Sequence, residues 1–119
     1  MIDDPDLLLT GAALQLAVDV EPVGEDLVVV TVRGDVDLSE AGELRAVLND
    51  ACTGPHRTVA VDLAAVRFMG STSMGVLAEV HQRLADEGRR LLLLEPPEVI
   101  QQAFAIAGLD HVFDDGPPA

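Results

Sequence analysis

Polar and apolar residues alternate from residue 14 to residue 21, where leucines and valines are separated by polar side chains or by alanine. A period of two is the pattern of a strand with one wet face. Residues 27–33 are rich in β-branched side chains and predict a second strand, antiparallel to the first, after a turn at Pro22 and Gly24. The chain is therefore expected to open with a β-hairpin.

A helix is predicted after this hairpin, because apolar residues then recur at helical spacing. Asp37 and Ser39 are both candidate N-caps, acidic residues occupy the first turn, and Gly54-Pro55 ends the pattern. The apolar positions of this first helix are Ala41, Leu44, Val47, Leu48 and Ala51.

Two further pairs of strand and helix follow. Residues 58–63 and 90–94 are short, nearly continuous apolar runs, as expected for buried strands. Each precedes a helical stripe; the second helix ends at Gly88, and the third has Pro97 in its first turn and Gly108 just past its end. The second stripe consists of Met74, Leu77, Ala78, His81, Leu84 and Ala85, and the third of Val99, Ile100, Ala103, Phe104 and Ala107.

The element order ββαβαβα predicts one α/β domain, a mixed sheet of four to five strands with helices packed over it. Val112 and Phe113 supply the short last strand that would be the fifth. Residues 1–12 lack a sustained period and predict a loose N-terminal arm. The domain is expected to occupy residues 13–114, followed by a tail at residues 115–119.

Composition supports a single core and excludes several kinds of partner. The chain has 119 residues, of which 49% are hydrophobic and only 3% aromatic, so a stacking surface for nucleic-acid bases is missing. Seven Lys and Arg against 21 Asp and Glu give a net charge of −14, which repels nucleic acids and anionic lipids. Such a charge indicates either a solvated acidic surface or attraction to a basic surface on another protein.

Cysteine content and apolar run lengths predict a cytoplasmic protein. Cys52 is the single cysteine, so it forms no internal disulfide and belongs to no metal-binding cluster. It lies on or beside the apolar stripe of the first helix, so a packed inert thiol is expected rather than a redox sensor. The apolar runs are far shorter than the ~20 residues that span a bilayer, and the chain begins with acidic residues where a signal peptide would be basic.

Patterns typical of catalysis and of metal binding are missing from the sequence. His56, His81 and His111 are the only histidines, and their spacing is not that of a metal site. Ser71 lacks the Gly-x-Ser-x-Gly context of a hydrolase nucleophile, and no lysine follows Gly75 as it would in a P-loop. Neither an enzyme activity nor a cofactor is therefore expected.

Two carboxylates before the first helix, Asp35 and Asp37, are spaced like an acid pair. Asp37 also suits the N-cap of that helix, where a side-chain oxygen accepts from the backbone. A cap and a surface charge are therefore expected rather than a catalytic dyad.

Three adjacent hydroxyls, Ser71, Thr72 and Ser73, lie where an apolar strand ends and an apolar helix begins. A helix start offers unpaired N–H groups and the positive end of the helix dipole, which would stabilise a phosphate. This placement suggests a regulatory switch. The structural alternative is that one hydroxyl caps the helix and the other two have no role.

Four segments follow one another in the order of the motifs of a known family. Gly34-Asp35-Val36-Asp37-Leu38 resembles Gly-Glu-Leu-Asp-Leu at the end of that family's second strand, and Val61-Asp62-Leu63 with Val66-Arg67-Phe68-Met69 resembles the strand and loop before its regulatory turn. Gly70-Ser71-Thr72-Ser73-Met74-Gly75 resembles the Asp-Ser-Ser/Thr-Gly-Leu-Gly of the turn, and Ala107-Gly108-Leu109 a late Ser-Gly-Leu. In these motifs residues 14–113 resemble the STAS domain, and within that family the bacterial anti-sigma factor antagonists.

The resemblance implies a partner switch in transcription regulation, for example in a stress response. An unphosphorylated antagonist of this kind binds an anti-sigma factor, which is a GHKL-type serine/threonine kinase, and so frees a sigma factor. The kinase uses Mg-ATP to phosphorylate a hydroxyl at the start of the second helix, and a metal-dependent phosphatase removes the phosphate. The antagonist itself carries no cofactor and contacts neither nucleic acid nor membrane directly.

By the same resemblance Thr72 is the phosphate acceptor, with Ser71 and Ser73 as alternatives. Gly70 stands where the family usually has Asp, and Ser73 where it usually has Gly. The alternative function is that of a STAS subunit of a lipid-transport ATPase complex or of a signalling scaffold. The implied partner-binding residues are Asp35, Asp37, Met69, Gly70, Ser71, Thr72, Ser73, Met74 and Gly75.

Overall fold

The computed structural model describes residues 16–109 and residue 112. Within these residues the chain forms four strands and three helices in the order ββαβαβα, so the predicted α/β fold is confirmed. The strands are β1 (Ala17–Val23), β2 (Leu27–Val36), β3 (Thr58–Met69) and β4 (Arg90–Leu94), and the helices are α1 (Leu38–Cys52), α2 (Ser71–Asp86) and α3 (Glu98–Ile106).

The strands of the described region form one mixed sheet in the order β1-β2-β3-β4. β1 and β2 are an antiparallel hairpin, whereas β2, β3 and β4 are parallel. Parallel neighbours need a crossover connection, and here α1 connects β2 to β3 while α2 connects β3 to β4. Both helices therefore begin at the carboxyl edge of the sheet, next to the ends of β2 and β3.

The hydrophobic core lies between one face of the sheet and the helices. Val28, Val59 and Leu91 are cross-strand partners, so their side chains share this face, and all three are buried. They belong to one apolar cluster that also contains buried side chains from every helix described here, among them Leu44, Leu77 and Phe104. Aliphatic residues thus supply almost the whole core, as the low aromatic content predicts.

The hairpin differs from its prediction at Pro22. This residue lies inside β1 and pairs with Val28, and the turn falls on residues 24–26, where Gly24 has a φ of 73°. β1 is the edge strand of the sheet, so the missing N–H of a proline need not remove a ladder hydrogen bond. Residues 14 and 15 of the predicted first strand lie outside the described residues.

β3 is longer than its prediction and continues past Leu63 to Met69. The pairing of β2 with β3 shifts register twice, between Thr31 and Arg33 and again between Gly34 and Asp35. Each shift puts an additional residue into β3, which is a β-bulge, so the inward and outward positions no longer alternate with a period of two. The sequence pattern therefore predicted that β3 ends at Leu63, where in fact only the alternation of inward and outward residues is interrupted.

The helix ends agree with the predicted glycines. Gly88 and Gly108 follow the C-caps of α2 and α3 and adopt φ values of 74° and 76°, the left-handed conformation that glycine tolerates best. The predicted fifth strand is wrong at Val112, which has helical backbone and donates its N–H to the Leu109 carbonyl oxygen; Phe113 lies outside the described residues. Among the helices described, none is long and apolar enough to cross a membrane.

Candidate functional site

Two helix N-termini lie side by side at the carboxyl edge of the sheet. Asp37 separates β2 from α1, and Gly70 separates β3 from α2. The Gly70 N–H donates to the Val36 carbonyl oxygen at 2.9 Å, and Ser73 Oγ donates to the Asp37 carbonyl oxygen at 3.4 Å. These two hydrogen bonds connect the start of α2 to the start of α1. Carboxyl edges of parallel strands are a common place for binding sites in α/β sheets.

The N-terminus of α1 is closed by its own side chains. Asp37 accepts from the Leu38 N–H at 2.7 Å and forms a capping box with Glu40, whose Oε1 accepts from the Asp37 N–H at 2.8 Å. Glu40 is buried, and its other carboxylate oxygen accepts from the Ser39 hydroxyl. Of the two predicted caps, Asp37 is therefore the one used.

The N-terminus of α2 has no such cap. Gly70 is the N-cap residue, and no side chain makes a capping hydrogen bond to this helix. The alternative that one hydroxyl of the run caps the helix is therefore wrong. Ser71 and Thr72 occupy the first two helical positions and are exposed, so both hydroxyls lie beside the positive end of the α2 dipole.

Three of the predicted partner-binding residues are buried in the described structure. Ser73 is fully buried, and Met69 and Met74 belong to the apolar core cluster. The other six predicted residues are exposed or partly exposed, namely Asp35, Asp37, Gly70, Ser71, Thr72 and Gly75.

Asp35 and Asp37 have separate roles, as the sequence predicts. Asp35 is exposed near the end of β2 and forms an ion pair with Arg67 at 3.3 Å, while Asp37 caps α1. Both side chains of the ion pair are largely solvent-accessible, so it contributes at most about 1 kcal/mol to stability. Its main effect is to place one positive and one negative charge near the carboxyl ends of β2 and β3.

Two apolar residues at this edge, Leu38 and Phe68, are missing from the sequence-based prediction of the site. Leu38 is 69% exposed and Phe68 50% exposed, although both are large hydrophobic side chains. The prediction missed them because single apolar residues next to a strand or helix end normally join the core. Arg67 and Phe68 are both exposed between the buried Val66 and Met69, so this part of β3 does not alternate with a period of two.

The other candidate groups among the described residues, Cys52, His56 and His81, lie apart from this edge of the sheet. Cys52 is buried, and desolvation raises the pKa of its thiol above the ordinary value of 9.0, against weaker opposing effects of Arg83 and Arg89. His56 and His81 lie far apart in sequence on a loop and on α2, and His111 is outside the described residues. Within residues 16–109, no group of three or more His, Cys, Asp or Glu is arranged to hold a metal ion.

The sequence matches the STAS domain family over residues 18–117, and the chain belongs to that family. A solved structure of the anti-sigma factor antagonist SpoIIAA in its unphosphorylated form is similar, with a TM-score of 0.70 and 23% identity over 82% of this chain and 85% of that one. The phosphorylated form of SpoIIAA, a Bacillus cell fate determinant, gives a TM-score of 0.66 and 24% identity over 82% and 88% of the two chains.

An anti-sigma factor antagonist from Mycobacterium paratuberculosis is also similar, with a TM-score of 0.74 and 23% identity over 83% of each chain. At this level of identity the three structures establish a shared fold. They agree with the four-stranded mixed sheet and three helices described above.

Proposed function

We propose that this STAS domain is an anti-sigma factor antagonist switched by phosphorylation at the start of α2. In its unmodified form it binds a kinase-type anti-sigma factor and so releases a sigma factor. The observation that supports this proposal is the pair of exposed hydroxyls, Ser71 and Thr72, on a helix N-terminus that no side chain caps. The domain acts as a binding protein in the cytoplasm and has no catalytic activity of its own.

Thr72 is the proposed acceptor, and Ser71 is the alternative. Both hydroxyls are exposed, whereas the Ser73 hydroxyl is buried and points to the Asp37 carbonyl oxygen. A kinase has to bring its nucleotide to the acceptor oxygen, so a buried hydroxyl is a poor substrate in this conformation. The burial of Ser73 therefore favours Thr72 and Ser71 over Ser73 as the acceptor.

The domain itself should tolerate the phosphate. Phosphorylation adds about 1.5 to 2 negative charges and three acceptor oxygens at the positive end of α2. The first-turn N–H groups of an uncapped helix are suitable donors for such an anion. The fold is therefore expected to survive the modification.

A partner surface would not tolerate it. Once an interface covers Ser71 and Thr72, the same phosphate has to leave water, and an unpaired buried charge costs several kcal/mol. About 4 kcal/mol corresponds to a thousandfold loss of affinity. Phosphorylation would thus end docking without unfolding the antagonist, and a metal-dependent phosphatase would restore it.

The test is phosphorylation by purified kinases. Each kinase-type anti-sigma factor of the source genome is incubated with the chain and Mg-ATP, and the modified residue is mapped by mass spectrometry in wild type, Ser71→Ala and Thr72→Ala. Modification of Thr72 or Ser71 that disappears in the matching alanine variant supports the proposal. Modification elsewhere, or none while tight binding persists, rejects the phosphorylation switch. Recovery of a transport ATPase instead of a kinase in a pull-down would favour the alternative STAS function.

A further inference from the structure

Two large apolar side chains are exposed at the same edge of the sheet as the hydroxyls. Leu38 is the first residue of α1, and Phe68 lies in β3 two residues before the N-cap Gly70. The two helix starts are connected by the hydrogen bonds Gly70 N–H to Val36 O and Ser73 Oγ to Asp37 O, so Leu38 and Phe68 lie at the same edge of the sheet. Single exposed hydrophobic residues are normal, but exposed apolar side chains that lie together mark interaction sites, and phenylalanine is enriched in the core of protein interfaces.

A β-bulge holds Phe68 out of the core. Asp35 pairs with Phe68 and Gly34 with Val66, so Arg67 is the additional residue of β3. The shift leaves Arg67 and Phe68 both exposed between the buried Val66 and Met69. The position of Phe68 is therefore set by the pairing of two strands and not by a loop, so the ring is presented in a fixed place.

Gly70 leaves bare backbone between these side chains and the hydroxyls. A Cβ atom at this position would lie 3.8 Å from Phe68 Cε2 and 3.9 Å from Asp37 Oδ1. The Phe68 ring and the Asp37 carboxylate thus border the same point of the surface, directly before Ser71. A partner can approach the backbone here more closely than at a position with a side chain.

We infer that Leu38 and Phe68 are the apolar anchors of the partner-binding surface, and that they insert into an apolar pocket with a basic rim on the kinase-type anti-sigma factor. This inference rests on the proposed function. The Asp37 carboxylate beside Phe68 and the net charge of −14 favour a basic partner, whereas the charge of Asp35 is offset by its ion pair with Arg67. A second copy of this chain carries the same negative charge and is electrostatically disfavoured.

The anchors also explain how a phosphate would end docking. An apolar pocket closes over Phe68 only when water is removed from the neighbouring surface. A phosphate on Ser71 or Thr72 would keep its hydration shell beside this ring and prevent closure. The anchors supply affinity, and the hydroxyls control whether that affinity is available.

The test measures dissociation constants by calorimetry with the kinase that binds the wild-type chain most tightly in the panel above. Phe68→Ala and Leu38→Ala are each expected to weaken binding by about tenfold or more. Val99→Ala is the matched control, because Val99 is also a large apolar residue, 57% exposed, but lies on α3. The dissociation constant of Val99→Ala is expected to stay within about twofold of the wild-type value. Circular dichroism checks that all three variants fold.

Unchanged affinity of both Phe68→Ala and Leu38→Ala, while the wild type binds, overturns the inference and leaves the proposed function intact. If no kinase of the panel binds the wild-type chain, the proposed function fails and the anchors fail with it. A homodimer that dissociates on the Phe68→Ala change, seen by sedimentation, would assign the patch to a second copy and would also overturn the inference.

Discussion

Asp37 makes hydrogen bonds with residues at the starts of both α1 and α2. Its side chain caps α1, its N–H donates to Glu40, and its carbonyl oxygen accepts from the Ser73 hydroxyl. A residue that satisfies groups on both helices has little freedom to change. The geometry of the site, including the position of the exposed hydroxyls, therefore depends on this residue even though it carries no chemistry.

Replacement of this cap is expected to destabilise the fold. Asp37→Ala removes the acceptor of the capping box, so the free energy of unfolding should fall by about 1 to 2 kcal/mol in urea titrations. Asp37→Asn is the control, because an asparagine side chain caps almost as well as aspartate and should retain most of the stability. A loss in Asp37→Asn as large as in Asp37→Ala would show that the charge, and not the cap, matters.

Cys52 should be unreactive in the folded protein. The thiol is buried, and its pKa is raised by desolvation, so the thiolate fraction at pH 8 is smaller than in the unfolded chain. We expect a disulfide reagent such as Ellman's to react at least about a hundredfold more slowly in buffer than in urea. Raising the pH through 9.0, the ordinary pKa, should accelerate the unfolded chain first. Equal reaction rates in buffer and in urea would contradict the buried position of the Cys52 thiol.

At the scale of elements, α1 and α2 contain matched glycines. Gly42 is the fifth residue of α1 and Gly75 the fifth of α2, and a Cβ added at either position meets no atom within 4 Å. Glycine inside a helix costs about 0.5 to 1 kcal/mol relative to alanine. Neither glycine is thus needed for packing within the domain.

The two alanine variants should separate stability from binding. Gly42→Ala and Gly75→Ala are both expected to raise the free energy of unfolding by about 0.5 to 1 kcal/mol, measured in urea. Only Gly75→Ala should weaken binding to the kinase, because Gly75 lies on the proposed partner surface and Gly42 does not. Equal affinities of the two variants would remove Gly75 from that surface.

Helices and their ends were predictable from local chemistry, whereas the long strand was not. Gly88 and Gly108 indicate helix ends because the left-handed conformation that commonly ends a helix favours glycine in any tertiary context. The extension of β3 depends on two register shifts against β2, which are set by the pairing of distant segments. Bulges change which residues face inward, so a pattern of period two could not predict an outward Phe68.

The burial of Ser73 alone among the three hydroxyls could likewise not be predicted from the sequence pattern. Three neighbouring hydroxyls look equivalent in the sequence, and the separation of Ser73 from Ser71 and Thr72 follows from how α2 packs on the sheet. The same packing buries Met69 and Met74, which the family resemblance had placed in the binding surface. The family resemblance points to this edge of the sheet, and accessibility distinguishes the exposed residues there from the buried ones.

At the scale of the whole molecule, the proposed partner surface and the hydrophobic core occupy different places. The apolar cluster lies between the sheet and the helices, while the proposed surface lies at one edge, where the connecting residues Asp37 and Gly70 meet. A charge added at this edge does not enter the core. A modification can therefore act on association without acting on folding, which a switch of this kind requires.

Calorimetric titration of the cognate kinase-type anti-sigma factor with the unmodified and the fully phosphorylated chain tests this account most directly, with thermal unfolding of both forms measured in parallel. The phosphate is expected to weaken binding, raising the dissociation constant by about a thousandfold. The Tm is expected to be unchanged or slightly higher, because the phosphate lies at the N-terminus of α2. Equal affinities of the two forms, or a phosphorylated chain that no longer folds, would contradict this account.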